Sequence, residues 1–470
     1  MESLAANMRN THSILLRLGL GLRQYLNRLW SSPILRKSVG LTGLMYASPV
    51  VGILVEILLM RTYGVGSVLD VYRAVLTFML MGQGLIASQL LKYVVIPKMA
   101  TFRSQGKEKD GFLFALHFTL SILLVTLPLL FLGVLRPDII IHYLAPGIPG
   151  EVTNQASWLV TVGCVGFFIL TLVGSLTAIV NFYGVFWGQP VGQMLMNGGI
   201  GLAIFLAGHL TRTASTQFGL LAIALGVGLL LMVGILAWQT WMAWIKLPVQ
   251  HASQRFWDTF RGLGWLLLPQ LVILGTEMWK PILVNRELSQ LDSGSLALYQ
   301  FAFRLLMLGS LPAQAIATVL FPHISRIAAE ADGHLLRKKL QEGTFVLGGI
   351  SFGLSCGLFI TAPFWMPILS SIAGIHGANY ERLLSAFSIL VWCCPSGALA
   401  MFYVQSAFAC HRRWFVVGYG LFSTLLLTFV LSFVSDLNGV AFGYMGASWG
   451  SVIGFGIWFF IYSRYKMIRK

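Results

Sequence analysis

The chain has 470 residues, of which 57% are hydrophobic and only 10% charged, and its formal net charge is +16. A soluble globular protein is about one quarter charged, and a soluble fold of this size could not hide so much apolar surface from water. The composition therefore excludes a soluble globular protein. It predicts an all-α polytopic membrane protein, because a bilayer accepts apolar side chains on the outer faces of helices.

The first segment, residues 1–37, is basic and carries leucines at helical spacing. Arg17, Arg23 and Arg28 interrupt its apolar stretch, which argues against a cleavable signal peptide. We interpret it as a basic amphipathic helix on the inner membrane face, with a partly ordered tail as an equally good alternative. The leucines in question are Leu15, Leu18, Leu22, Leu26 and Leu29.

Twelve apolar runs follow, each close to the roughly 20 residues that a transmembrane helix needs. A tight turn at residues 181–184 separates the fourth run from the fifth. We expect two six-helix halves, residues 38–245 and 262–463, joined by a cytoplasmic linker at 246–261 and followed by a basic tail at 464–470. The runs centre on residues 41–60, 72–96, 112–135, 157–180, 185–208, 217–245, 262–284, 296–321, 345–369, 382–408, 415–434 and 439–463.

Basic residues are distributed unevenly between the loops on the two sides. With the N-terminus inside, the inner segments hold 23 of the 32 Lys and Arg residues, the outer segments five, and the predicted spans four. Loops on the cytoplasmic side are rich in Lys and Arg, so both termini are predicted to be cytoplasmic. The positive charge then reflects topology and proximity to anionic lipid head groups, and not a nucleic-acid surface.

An internal repeat links the second and eighth spans. One reads Tyr72-RAVLTFMLM-Gly82 and the other Tyr299-QFAFRLLML-Gly309. Each is followed by a proline, at 97 and 322, that ends the span at the inner face. The offset is half of the twelve-span region, which indicates two halves in the same orientation, related by an axis along the membrane normal and enclosing a central cavity. Chance similarity between two apolar helices is the alternative.

Charged and amide side chains within the spans are the candidates for a functional site, because a charge at bilayer depth costs several kcal/mol, roughly 2.5–3.5 on insertion scales. Arg304 lies about eight residues into the repeated eighth span, and a guanidinium can hold phosphate oxygens with two hydrogen bonds. Interhelical structural bonding is the alternative for Arg304. The further cavity candidates are Arg73, Lys92, Lys280, Glu277, Gln83 and Gln300, and the candidates for gating or ion coupling are Asp70 and Glu56.

Some of these candidates have a second interpretation. Glu277 and Lys280 are three residues apart on one helix face, so a structural ion pair is the favoured interpretation for them. Arg73 and Lys92 lie near enough to helix ends for their charges to reach the interface instead of a cavity.

The sequence has no phosphate-binding loop of the GxxxxGK[ST] type and no metal or nucleophile motif. The five cysteines lie in apolar runs without a metal-binding or disulfide pattern. We therefore expect a transporter with no cofactor, rather than an enzyme.

Four stretches resemble the lipid II flippase (MurJ/MviN-like) family of the multidrug, oligosaccharidyl-lipid and polysaccharide exporter superfamily. Residues 63–70 are similar to the first outer loop of that family, residues 144–147 to its third-to-fourth helix region, and residues 176–198 to its turn between helices four and five. Residues 297–330 match its eighth-helix signature, including the position of Arg304. Together the similarity covers most of residues 40–465.

The sequence also departs from the family pattern. The family has an arginine after a serine in helix one, where this chain has Ser48 and Pro49, and an arginine pair in helix two, where Gln83 and Gly84 align. The family usually adds two helices, and this sequence stops after the twelfth span. These departures favour a relative that moves another undecaprenyl-linked glycan.

The resemblance implies a bacterial cytoplasmic-membrane flippase that moves an undecaprenyl-diphosphate-linked exopolysaccharide or O-antigen unit by alternating access. Arg304 is expected to contact the diphosphate. Expected partners are the lipid-linked glycan, membrane lipids and a polysaccharide polymerase with glycosyltransferases. The alternatives are a lipid II flippase, a cation-coupled multidrug exporter and a non-transporting scaffold of a glycan-assembly complex.

Overall fold

The computed structural model describes residues 33–82, 95–185, 187–210, 214–247, 264–329, 333–410 and 412–466. Within these ranges every regular element is a helix and no strand is present. The helices are α1 (Pro33–Tyr63), α2 (Ser67–Met81), α3 (Ile96–Ser104), α4 (Glu108–Leu135), α5 (Pro137–Leu144), α6 (Gly150–Gln155), α7 (Ser157–Phe182), α8 (Gly188–Leu210), α9 (Ala214–Ile245), α10 (Gly264–Ser289), α11 (Ser295–Ala329), α12 (Gly333–Ala373), α13 (Ala378–Leu390), α14 (Cys393–Ala409), α15 (Arg413–Leu431) and α16 (Leu437–Lys466).

Within the described residues, each predicted span falls on one helix or on two consecutive ones, which confirms the all-α membrane fold. The tenth span is divided into α13 and α14, and Pro395 lies in the first turn of α14. Proline is tolerated there because the first N–H groups of a helix have no partner within it. Seven stretches within the described ranges are long and apolar enough to cross a bilayer by those two criteria alone.

The turn between the fourth and fifth spans lies where the sequence placed it. Helix α7 ends at Phe182, and the N–H of Gly184 donates to the carbonyl of Asn181 at 3.0 Å. Gly184 has a φ of 83°, in the left-handed region that favours glycine. The chain therefore turns directly after α7, and α8 begins at Gly188.

The helices pack as two groups, α1–α9 and α10–α16. In the first group α9 packs on α7 and α8, α8 on α1, and α7 on α2 and α4. In the second, α11 packs on α12, α13 and α14, and α16 on α13, α14 and α15. Large apolar side chains such as Val125, Leu135, Phe345, Phe364 and Phe433 point outward. That arrangement is stable where the surrounding solvent is hydrocarbon.

The repeated motif occupies comparable environments in α2 and α11. Tyr72 and Tyr299 are both buried. A Cβ on Gly82 would overlap the backbone of α7, and one on Gly309 would overlap Leu358 of α12. The two repeats therefore use the tyrosine for burial and the glycine for close approach of a neighbouring helix.

The two groups of helices meet through α1, α2 and α5 on one side and α10, α11 and α12 on the other. Residues 1–32 of the predicted N-terminal amphipathic segment lie outside the described residues. The same is true of residues 248–263 of the linker and 467–470 of the tail. The proposed domain boundaries stay predictions.

The predicted orientation can be tested with reporter fusions. Alkaline phosphatase joined after Gly106, in a predicted inner loop, is expected to be inactive, whereas the same reporter joined after Gly294, in a predicted outer loop, is expected to be active. The reason is that this enzyme matures only outside the cytoplasm. Fluorescent-protein fusions at the same two positions are the control and should give the opposite pattern. Active phosphatase at Gly106 with inactive phosphatase at Gly294 would reverse the topology.

Candidate functional site

Glu56 on α1 is the centre of a three-residue ionic cluster. Its Oε1 accepts hydrogen bonds from Nη1 of Arg73 on α2 and from Nη1 of Arg304 on α11. The side chains of Glu56 and Arg73 are 1% and 3% exposed, whereas that of Arg304 is 30% exposed. One buried carboxylate thus ties a helix of the second group to two helices of the first.

The cluster carries a net charge of +1, from two guanidinium groups and one carboxylate. Several of its polar atoms have no hydrogen-bond partner within the described residues, namely Glu56 Oε2, Arg73 Nε and Arg73 Nη2. An unsatisfied buried polar group costs free energy. The cluster therefore retains donors and positive charge that an anion could use.

Nη1 of Arg304 lies beside Gly52 of α1 and Asn197 of α8. Gly52, one helical turn before Glu56 on α1, has no side chain there. A Cβ added at Gly52 would lie 3.3 Å from Asn197 Nδ2 and 3.8 Å from Arg304 Nη1. Asn197 is buried on α8. The side chains of Asn197 and Arg304 thus both lie next to Gly52, where a larger residue would crowd them.

Asp70 lies in the first turn of α2, before the second span, and connects the two groups at another point. Its Oδ2 accepts from the N–H of Gly294 at 2.6 Å and its Oδ1 from the N–H of Ala297 at 2.8 Å. These N–H groups lie at the start of α11, where a helix has unpaired donors and a positive dipole end. Asp70 therefore caps a helix of the other group.

Burial raises the pKa of Asp70 to about 6, while the hydrogen bonds from Gly294 and Ala297 and the charges of Arg382 and Arg73 lower it. The carboxyl is accordingly ionised at neutral pH, which is the form that accepts both hydrogen bonds.

Further contacts lie at the same end of the molecule. The N–H of Gly147 donates to Ser289 Oγ at 3.2 Å, and a Cβ on Gly147 would overlap the backbone of Ser289. Within the second group, Arg382 Nη2 donates to Ser295 Oγ at 2.6 Å. This end, which the charge distribution assigns to the outer face, is closed by direct contact between the two groups.

The other predicted residues lie elsewhere. Gln300 Nε2 donates to Asn285 Oδ1 at 2.9 Å, between α11 and α10. Lys280 Nζ donates to Glu277 Oε1 at 2.7 Å, the ion pair that their spacing predicted. Neither interaction involves the Glu56 cluster. Lys92 and Gln83 lie outside the described residues, so their roles stay predictions.

The sequence identified Glu56, Arg73 and Arg304 singly but not their contact. The sequence allows Arg73 to face a cavity or to reach the membrane interface. In the structure Arg73 is buried against Glu56 and does not extend to the interface. Asn197 was missed. The available signal was an amide side chain within a predicted span, next to two glycines at 198 and 199.

Removing the shared carboxylate should destabilise the protein strongly. Glu56→Gln leaves two guanidinium groups without their acceptor, and breaking a buried ion pair costs about 3–5 kcal/mol. We expect a lower thermal midpoint for the purified protein in detergent. The double variant Glu56→Gln with Arg73→Gln removes one unpaired charge and should recover part of the loss. Asp138→Asn, in the exposed Arg136–Asp138 pair, is the matched control and should leave the midpoint unchanged. An unchanged midpoint for Glu56→Gln would contradict the structural role of the cluster.

Comparisons with known proteins identify the fold. The family described as "Lipid II flippase MurJ" matches residues 59–466. A lipid II flippase MurJ structure in an inward closed conformation is similar with a TM-score of 0.68 and 18% identity, over 92% of this chain and 91% of that chain. An inward-facing multidrug resistance MATE family transporter of the MOP superfamily also gives a TM-score of 0.68, with 15% identity over 90% and 95% of the two chains.

A MOP superfamily transporter from Pyrococcus furiosus, whose binding pocket is described as having reverse polarity, gives a TM-score of 0.59 with 16% identity over 91% and 95% of the two chains. No curated protein matches the sequence significantly. The solved structures are too distant in sequence to show more than the fold, whereas the family match covers most of the chain. This chain is a multi-pass membrane protein that belongs to the MurJ lipid II flippase family.

Proposed function

We propose that this protein is a flippase that moves an undecaprenyl-diphosphate-linked saccharide from the inner to the outer leaflet of the bacterial cytoplasmic membrane. The substrate has a charged head that cannot cross hydrocarbon and a tail that need not leave it. The head passes through a polar cavity between the two halves, and the tail remains in the lipid beside it. The protein performs no covalent chemistry in this step.

The observation that carries the proposal is the Glu56–Arg73–Arg304 cluster. Its net charge of +1 suits an anion, and Arg304 is the member that is partly exposed. A guanidinium holds phosphate oxygens through two parallel hydrogen bonds. The diphosphate would replace Glu56 as the acceptor for Arg304.

That replacement has a mechanical consequence. Glu56 belongs to the first group of helices and Arg304 to the second, so the bond between them holds the halves together. A diphosphate that accepts the hydrogen bonds of Arg304 breaks the bond between Arg304 and Glu56. The halves can then separate at the closed end, which is the movement that alternating access requires.

The contact of Asp70 with the start of α11 is the proposed outer gate. It closes the predicted outer face while the cavity receives a substrate from the inner leaflet. Opening this gate exposes the N–H groups of Gly294 and Ala297 to water, which can replace the carboxylate as acceptor. The gate is therefore reversible without a covalent step.

Lipid II is the second candidate substrate, because it is the substrate that the family description names. The different residues at Ser48–Pro49 and Gln83–Gly84, where the family has arginines, favour another lipid-linked glycan such as an exopolysaccharide or O-antigen unit. Rescue of a strain depleted of its own lipid II flippase would support lipid II. Failure of a correctly inserted, well-expressed protein to rescue that strain would count against it.

Two other functions are less well supported. A cation-coupled drug exporter would be favoured by an acid-lined interior, but the cluster between the halves has an excess of positive charge. A non-transporting scaffold for polymerase and glycosyltransferases would not account for a partly exposed Arg304 between the two halves. Both remain distinguishable from a flippase by measuring transport.

Removing the cation at position 304 tests the site. In proteoliposomes, Arg304→Ala should reduce translocation of the undecaprenyl-diphosphate-linked saccharide at least tenfold, because it removes the group that receives the diphosphate. Arg304→Lys keeps the charge without the fork geometry and should retain an intermediate rate. Arg286→Ala, an arginine on α10 outside the cluster, is the control at equal expression. Wild-type transport by Arg304→Ala would contradict the assignment.

Removing the gate carboxylate should favour outward opening. Asp70→Ala removes two charge-assisted hydrogen bonds, each worth about 1.5–3 kcal/mol. In a background without the native cysteines, an Ala297→Cys reporter should then react at least tenfold faster with an impermeant maleimide added outside cells, since each 1.4 kcal/mol changes a population tenfold. Asp138→Ala, with the same reporter, is the control. An unaltered labelling rate in Asp70→Ala would argue against this gate.

A further inference from the structure

A cavity with an apolar wall and a few polar side chains lies within the C-terminal group of helices, apart from the Glu56 cluster. Its volume is about 400 Å³, and it is lined by residues of α10, α14, α15 and α16. Small-molecule sites typically measure roughly 300–1,000 Å³, so the space is large enough for a ligand. Its polar lining includes Glu277, Lys280, Gln405, Tyr419, Tyr444 and Ser448.

The charges in this cavity are balanced. Lys280 and Glu277 form an ion pair of 2.7 Å in the wall, and the Lys280 ammonium lies 5.6 Å from the centre of the Tyr419 ring. A charged ligand would have to break this pair or be desolvated without a counter-charge, and both are costly in a nonpolar surrounding. The electrostatics therefore favour a neutral ligand.

Gln405 points to a missing partner. This residue of α14 is 6% exposed and lines the cavity, yet its Oε1 has no hydrogen-bond partner within the described structure. Buried side-chain polar atoms are in large majority hydrogen-bonded. An unpaired amide oxygen on the wall of a cavity is accounted for by a ligand that donates a hydrogen bond.

The hydroxyl groups of the lining are also arranged as acceptors. Ser423 donates to the carbonyl of Gly420 at 3.0 Å, and Ser451 donates to that of Ala447. Their protons are thus used within the helices, while their oxygens retain lone pairs. Lys280 supplies the opposite chemistry, because an ammonium has three N–H donors and Glu277 takes one.

A neutral molecule with several hydroxyl groups satisfies all of these atoms together. Its hydroxyl protons can be donated to Gln405 and Ser423, and its oxygens can accept from Lys280. We propose that this cavity is a saccharide subsite that holds one sugar ring of the head group. The proposal rests on the function proposed above, in which the Arg304 cluster binds the diphosphate. This cavity would bind a sugar of the same substrate.

Glycine positions provide a matched pair of variants for the test. Gly397 of α14 lines the cavity, and a Cβ there meets no atom within 4 Å. Gly397→Leu should therefore fill the cavity without disturbing the backbone, since leucine is a better helix former than glycine. Gly353 of α12 is an exposed helical glycine outside the cavity, and a Cβ there also meets nothing within 4 Å. Gly353→Leu is the control.

The experiment measures binding of D-glucose, D-galactose and N-acetyl-D-glucosamine to the purified full chain by saturation-transfer NMR. At least one of these sugars should bind the wild type and Gly353→Leu. Its affinity should fall at least tenfold in Gly397→Leu and in Gln405→Leu, which removes the unpaired amide. Gln155→Leu, at an exposed glutamine of α6, should bind as the wild type does.

Two results would overturn the subsite. They are no binding of any of the three sugars to the wild type, and undiminished binding to Gly397→Leu. Binding of undecaprenyl diphosphate, which has no sugar, separates this proposal from the proposed function. If undecaprenyl diphosphate still binds to Gly397→Leu but no longer binds to Arg304→Ala, the flippase assignment stands. The sugar-binding results then test the subsite alone.

Discussion

The burial of the Glu56 carboxylate is the constraint on which the arrangement between the two halves depends. An ionised carboxylate away from water is stable only with close positive partners. Arg73 comes from a neighbouring helix of the same half and Arg304 from the other half. The charge requirement of one side chain on α1 therefore fixes where α2 and α11 must lie, and it leaves the guanidinium of Arg304 partly exposed.

The internal repeat explains why the second connection lies where it does. Asp70 and Ala297 each precede the repeated tyrosine by two residues, and the carboxylate of one accepts from the N–H of the other. The two repeated helices thus meet at matching positions near their N-terminal ends. Only one of the two positions carries an acid, so the contact joins a carboxylate to the positive end of the partner helix.

The sequence was sufficient for the helices but not for their contacts. Apolar runs of about 20 residues predicted the spans because the bilayer thickness imposes that length, and the spacing of Glu277 and Lys280 predicted their pair because a helix brings such residues together. The link from Glu56 to Arg304 spans 248 positions, and no local pattern encodes it. Nor could composition show that Gly52 makes room beside Asn197, since that depends on how α1 packs against α8.

The most direct test of this account measures whether the substrate's diphosphate separates the halves. Spin labels at Glu151 and His376, exposed residues at the predicted outer end of each half, report the distance across that end in the reconstituted protein. Addition of undecaprenyl diphosphate should populate a longer distance in the wild type and leave Arg304→Ala unchanged. An identical distance distribution with and without undecaprenyl diphosphate in the wild type would contradict the claim that Arg304 exchanges Glu56 for the substrate.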